Sequence, residues 1–234
     1  LALTADAGSI NADAALTAST VVISADSINV GENGDGIDAA GDVSLAAAGA
    51  LGVFAEVSSE GSVALTTDTG DINVAGNGVV EAQENLDLTA GGLIDVTAPL
   101  SAGGTLALTA DAGSINADAA LTASTVVISA DSINVGENGD GIDAAGDVSL
   151  AAAGAIEAFA PVTADGSIVL SAGADLTIYE ALLASTVDLS STSGDVVAFP
   201  LAGFAADSIL ADALTISAGG GIDIGDVVIV DRDD

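Results

Sequence analysis

The stretch LALTADAGSINADAALTAST, residues 1–20, recurs letter for letter at 106–125, and the identity runs on until residues 1–50 have been matched by 106–155. Such complete identity at an offset of 105 residues is not a demand of packing, because buried positions tolerate exchange among Leu, Ile and Val. It marks a recent duplication inside an array, so the chain reads as a window on something larger. Repetition of this kind outranks every other signal in deciding a fold.

Inside residues 1–20 there are three short segments, LALT, SINA and LTA, each alternating apolar with small or polar residues. A period of two places Leu1, Leu3, Ile10, Ala12 and Leu16 on one side and Ala2, Thr4, Ser9, Asn11 and Thr17 on the other, as strands with one buried face require. Each later coil restarts on the first pattern, at Val21, Val43, Val63, Leu86, Leu106, Val126, Val148, Ile168, Val187 and Leu214. The spacings are 20, 22, 20, 23 and 20, which complete the 105-residue offset, followed by 20, 22, 20, 19 and 27.

The second pattern returns as SINV at Ser27, DINV at Asp71, LIDV at Leu93, DLTI at Asp175 and GIDI at Gly221. The third returns at Ile37–Ala39, Val57–Ser59, Val80–Ala82 and Leu100–Ala102. Ala favours helices, but Gly interrupts nearly every run within about ten residues and no 3.6-residue stripe persists.

One turn of three strands cannot close a core alone, whereas stacked turns bury a continuous apolar column. The fold expected is therefore all-β: a right-handed parallel β-helix, or β-solenoid, of eleven coils of about 20 residues with three short strands each, its hand following the usual crossover preference. Residues 1–234 read as one solenoid segment of a longer array. Residues 1–105 form a five-coil superrepeat, 106–213 a second, diverging one, and 214–234 the last coil.

Composition narrows the function. Half of the chain is apolar, yet it holds four Phe, one Tyr and no Trp, so the core must come from Ala, Val, Leu and Ile. There is no Cys, Met or His, and Arg232 alone opposes 35 acidic residues, for a net charge of −34. That field repels nucleic acid and anionic lipid surfaces, whose binding depends on Lys and Arg. The longest uncharged apolar stretch, 43–55, is too short and too broken by Gly to span a bilayer. Leu1 follows no charged n-region or cleavage pattern, which places any targeting signal outside this segment. It also opens directly on a core strand, so this end is expected to continue into further chain or onto another molecule. The closing DRDD could blunt the other edge without covering it.

LSAGGTLALTADAGSINADAALTAS (100–124) and LDLTAGGLIDVTAPLSAGG (86–104) resemble the haemagglutinin-type repeats of filamentous haemagglutinin-like bacterial adhesins, and the resemblance extends over all eleven coils. It implies the β-helical shaft of a very long exported protein, secreted or held at the cell surface, that keeps adhesive regions away from the cell. Partners would then be neighbouring coils or rods of the same protein, joined end to end or laterally, and host or cell-surface glycans reached through other regions.

Parallel β-helices also carry polysaccharide lyases and glycosidases. A lyase for acidic polysaccharide needs cationic groups, which are missing, and glycosidases need a carboxylate pair in a loop-built cleft, typically with aromatic platforms. Coils of such even length offer none, so no enzyme is expected. The acidic turn Gly31-Glu32-Asn33-Gly34-Asp35-Gly36-Ile37-Asp38 gathers hard oxygen ligands suited to Ca²⁺. Its candidate ligands are Glu32, Asn33, Asp35 and Asp38, repeated as Glu137, Asn138, Asp140 and Asp143; a solvated Gly-rich turn is the competing reading.

The outward row Thr4, Ser24, Ala46, Thr66, Thr89 raises ice binding, against which its mixed partner row Ala2, Val22, Ser44, Ala64, Asp87 argues. A Ca²⁺-dependent glycan- or ice-binding module is thus the alternative function. Asp6 over Asp26 and Asp111 over Asp131 predict stacked like charges, and with them dependence on salt or Ca²⁺. Phe54 and Phe159 are expected outside, either folded over a turn or available for lateral contact. Phe199, Phe204 and Tyr179 fall in the less regular coils nine and ten.

Overall fold

A computed structural model describes residues 1–31, 35–136, 140–198 and 209–225, and the backbone of 227–229. Among these residues there is no helix, and three parallel sheets of eleven strands each wind into a β-solenoid. Every coil contributes one strand to each sheet: in coil 1 these are Ala2–Thr4 (sheet A), Ser9–Ala12 (sheet B) and Leu16–Ala18 (sheet C).

The register follows the sequence pattern. Val21 pairs with Val43, Val43 with Val63, Val63 with Leu86 and Leu86 with Leu106, and the same line continues through Val126, Val148, Ile168, Val187 and Leu214. Variation in coil length is absorbed at the corners, because slipping a strand by one residue would turn its apolar side chains outward. At about 4.8 Å per strand, eleven coils give a rod on the order of 50 Å long.

The column inside is built of Val, Leu, Ile and Ala. Coil 5 supplies Leu86, Leu88, Ala90, Ile94, Val96 and Leu100, each with 1% exposure or less. Among the described residues three polar side chains are buried, and each closes a corner. Ser59 donates to the carbonyl of Gly41 at 2.8 Å and accepts from the Gly61 amide at 3.0 Å. Thr67 donates to the Gly70 carbonyl at 2.7 Å, and Ser191 donates to Ala174 and accepts from the Gly194 amide. Burial of these hydroxyls is tolerated because the backbone satisfies them.

Two features differ from the sequence pattern. Coils 3, 8 and 10 carry no traced copy of the second pattern yet form a sheet B strand, at Leu51–Val53, Ile156–Ala158 and Val196–Ala198. The ladder needs only two inward apolar residues there, which these segments retain. In coil 1, Leu1 is 49% exposed and Leu3, Ile10 and Leu16 are half-buried, whereas their duplicates Leu106, Leu108, Ile115 and Leu121 are at 0–1%. Coil 1 packs against coil 2 alone, while coil 6 is covered on both sides.

Candidate functional site

The acidic turn is held at both ends by the backbone ladder. The Gly31 amide donates to the Ala12 carbonyl at 2.9 Å, and the Leu16 amide to the Gly36 carbonyl at 3.0 Å. On the other side the Ile37 amide donates to the Glu56 carbonyl at 2.9 Å. Both bracketing glycines are required by these approaches. Gly31 sits at φ +75°, and a Cβ there would fall 2.0 Å from the Ala55 Cβ; one on Gly36 would fall 2.1 Å from the Glu56 carbonyl oxygen. Gly136 and Gly141 repeat the arrangement against Ala160 and Pro161. Gly31, Gly36, Gly136 and Gly141 therefore answer to coil stacking.

Of the eight candidate ligands, Glu32, Asn33, Glu137 and Asn138 lie outside the described residues. Asp38 projects outward from its strand, with Thr17 of coil 1 and Ser58 of coil 3 as register partners. Asp35 and Asp38 share a shallow open groove with Thr17, Glu56 and Ser58. Asp140 and Asp143 line its duplicate with Thr122 and Thr163, but there Pro161 stands where the first groove has Glu56. Among the described residues no group of three or more acidic side chains could hold a metal ion.

No family model matches this chain, and neither any curated protein nor any solved structure matches it. Among the described residues, no helix is long and apolar enough to cross a membrane.

A larger role for the acidic residues emerges at the corners. Asp42 Oδ1 accepts the Ser62 amide at 2.9 Å, Asp71 Oδ1 that of Leu93 at 2.8 Å, and Asp175 Oδ1 that of Asp195 at 2.9 Å. Asn85 does the same for Thr105 at 2.9 Å, and Asp195 for Gly221. In each case the residue before the donor is Gly, and a Cβ on it would come within 2.2–2.5 Å of the accepting Oδ1. Each such Asp or Asn thus clips its coil to the Gly-x step of the next one. Asp147 accepts both the amide and the hydroxyl of Ser167 at 2.8 Å, and these bonds hold its carboxyl below the usual carboxylate range.

Sequence reasoning missed these clips, because their partners are 20 to 26 residues away, beyond any local motif. Polar ladders run along sheet B as well. The Ser9 and Ser27 hydroxyls meet at 2.7 Å, Ser114 and Ser132 repeat the contact at 2.6 Å, and Asn29 donates to Asn11 at 3.2 Å. Asp95 accepts from Asn116, yet partial burial, with Asp118 nearby, pushes its carboxyl above the usual range.

Both described Phe rings are half-buried. Phe54 folds back over Gly52, whose absent side chain leaves room for the ring edge. In the second superrepeat Glu157 takes the place of Gly52, and Phe159 instead stacks on Tyr179 of the next coil, centroids 4.5 Å apart and planes 6° from parallel. Phe199 and Phe204 lie outside the described residues.

Proposed function

We propose that this chain is a structural shaft or fibre segment of an extracellular bacterial adhesin or surface filament and that it performs no catalysis. The observation carrying this reading is the register that runs through eleven coils, with acidic side chains engaged at corners as backbone clips and shallow, open grooves on the outside of the described residues. A rod of this kind transmits length. The likeness of 86–124 to haemagglutinin-type repeats supports the same reading and adds the bacterial surface as its setting. With a net charge of −34 the rod stays hydrated and resists collapse onto anionic surfaces or onto other rods.

Immunogold labelling of intact cells with antibody raised against residues 1–234 tests this. Label along surface fibres is expected; label confined to the cell interior would overturn the reading.

The alternative, a Ca²⁺-dependent glycan- or ice-binding module, draws on one observation: Thr4, Ser24, Ala46, Thr66, Thr89, Thr109, Ser129 and Ala151 form a single outward line on sheet A. Its neighbouring line contains Asp87 and the exposed Val22 and Val127, and that unevenness favours the shaft. Thermal hysteresis, or glycan binding abolished by chelation of Ca²⁺, would shift the balance to the module.

A further inference from the structure

The charge that holds rods apart is unevenly placed around the column. Sheets B and C each turn one row of strand-centre residues outward. Among the described residues each row carries three acidic side chains, Asp95, Glu157 and Asp223 on sheet B and Asp38, Glu81 and Asp143 on sheet C. Sheet A turns two rows outward, and these carry Asp87 and Asp188 alone. The two aspartates stand five coils apart and leave coils 1–4 and coils 6–9 as uncharged patches of Ala, Ser, Thr and Val. In each patch one valine stands out between small neighbours, Val22 between Ala2 and Ser44 and Val127 between Ala107 and Ser149. They are 46% and 40% exposed, and among the described residues outside the first and last coils no other large apolar side chain is so open to water.

We infer that the outer face of sheet A is a pairing surface for a second copy of this chain, packed against it face to face along the rod. Area permits it. Strands of five or six residues across eleven coils give a face of about 17 Å by 50 Å, so two copies bury roughly 1,700 Å² in all, within the range of about 1,200–2,000 Å² for stable interfaces. Charge selects it, because on sheets B and C the same approach would bury acidic rows. A two-fold pair sets like surface against like, and the valines that break the evenness of one face reach toward the small Ala and Ser positions of the other. Asp87 and Asp188 exclude the registers in which they would meet. The corners flanking the face carry Asp6, Asp26 and Asp42, so the rims repel until salt screens them. The surface adds a partner to the shaft reading and stands on its own chemistry, whatever the location of the protein.

Sedimentation equilibrium of the 234-residue chain tests this. A reversible monomer–dimer equilibrium is expected, with an association constant that rises about tenfold or more between about 0.05 and 0.5 M NaCl. Val22→Asp combined with Val127→Asp should weaken dimerisation about tenfold or more. Asp87 and Asp188 already occupy the same row, so the strands accept the substitution. Val22→Thr with Val127→Thr keeps the β-branched shape and should act in the same direction should the Asp variant be unstable. Ser101→Asp with Thr163→Asp adds the same charge to the outward row of sheet C and should leave association close to that of the parent. A chain that stays monomeric at every salt concentration would overturn the inference. So would a dimer that both valine pairs leave intact, since end-to-end stacking or contact through another face does not involve those residues. Cell-surface labelling bears on the shaft reading alone, so the two fail separately.

Discussion

Ile10 and Ile115 are the same residue in the same local sequence, yet one is half-buried and the other fully enclosed. Truncating Ile115 to Ala leaves a cavity between two coils and should cost about 2–5 kcal/mol. Ile10→Ala removes side chain that water already reaches and should cost on the order of 1 kcal/mol or less. Urea denaturation of the two variants checks this; equal losses would mean that neighbouring coils do not set the burial.

Two carboxyls give opposite pH signatures. Asp95 has its pKa raised in the fold, so it favours the folded state below the unfolded value and loses that contribution as pH rises through the folded one. Asp95→Asn is accordingly expected to raise the melting temperature at pH 7, with the gain vanishing at acid pH. Asp147 has its pKa lowered by Ser167, so its contribution is present above the ordinary carboxylate value and disappears as pH falls through the folded one. Asp147→Asn should lower the melting temperature at pH 7 and converge with wild type in acid. Melting curves between pH 2.5 and 7 read both.

At the scale of a corner, the Asp or Asn clip and the Gly beneath it act as one element. A Cβ at Gly92 would fall 2.3 Å from Asp71 Oδ1, so Gly92→Ala forces the carboxylate off the Leu93 amide. Loss of that exposed bond alone, as in Asp71→Ala, should cost about 0.5–1.5 kcal/mol. Because both substitutions break the same contact, the double variant should be less destabilised than the two single losses added together. Strict additivity in a double-mutant cycle would show that the clip and the glycine are independent. At the acidic turns the glycine is less forgiving: Gly136→Ala combines a φ of +74° with a contact 2.1 Å from the Ala160 Cβ. Its expected cost is about 1–3 kcal/mol, with no relief from substitutions at Asp140 or Asp143, since neither side chain is what crowds it.

For the rod as a whole, the governing quantity is charge per length. Thirty-five acidic groups and one Arg are carried on a column whose coils repeat at about 4.8 Å. Within the described strands the register sets acidic residues against uncharged ones, Asp38 between Thr17 and Ser58 and Asp95 between Asn73 and Asn116, so the repulsion is that of the crowded column rather than of stacked pairs. Each exposed like pair costs under about 1 kcal/mol in water, and the Debye length shortens from about 30 Å at 0.01 M salt to about 3 Å at 1 M. Raising NaCl from 0.01 to 0.5 M is therefore expected to raise the melting temperature by several degrees. Millimolar Ca²⁺ should exceed the effect of Na⁺ at equal ionic strength only if the turns at 31–38 and 136–143 coordinate it. Calorimetry with EDTA and ionic-strength-matched controls separates screening from binding. An identical melting temperature in every buffer would show that the acidic groups of the rod carry no net repulsion.

The solenoid, its coil starts and its inward residues were readable from the linear chain because each depends on alternation and on a period near 20, and both are local facts. Leu1, Leu3, Ile10, Ala12 and Leu16 declare a buried side wherever they stand; how far they are buried depends on whether coils cover both faces, as the contrast with Leu106, Leu108 and Ile115 shows. The candidate ligands Asp35, Asp38, Asp140 and Asp143 were likewise legible as an acidic turn. That Gly31 and Gly36 are there for Ala55 and Glu56, that Glu56 rather than Pro161 lines only one of the two grooves, and that Asp42, Asp71 and Asp147 spend an oxygen on the next coil's amide were decided in three dimensions. In each case the partner lies a full coil away, where sequence distance and spatial distance part company.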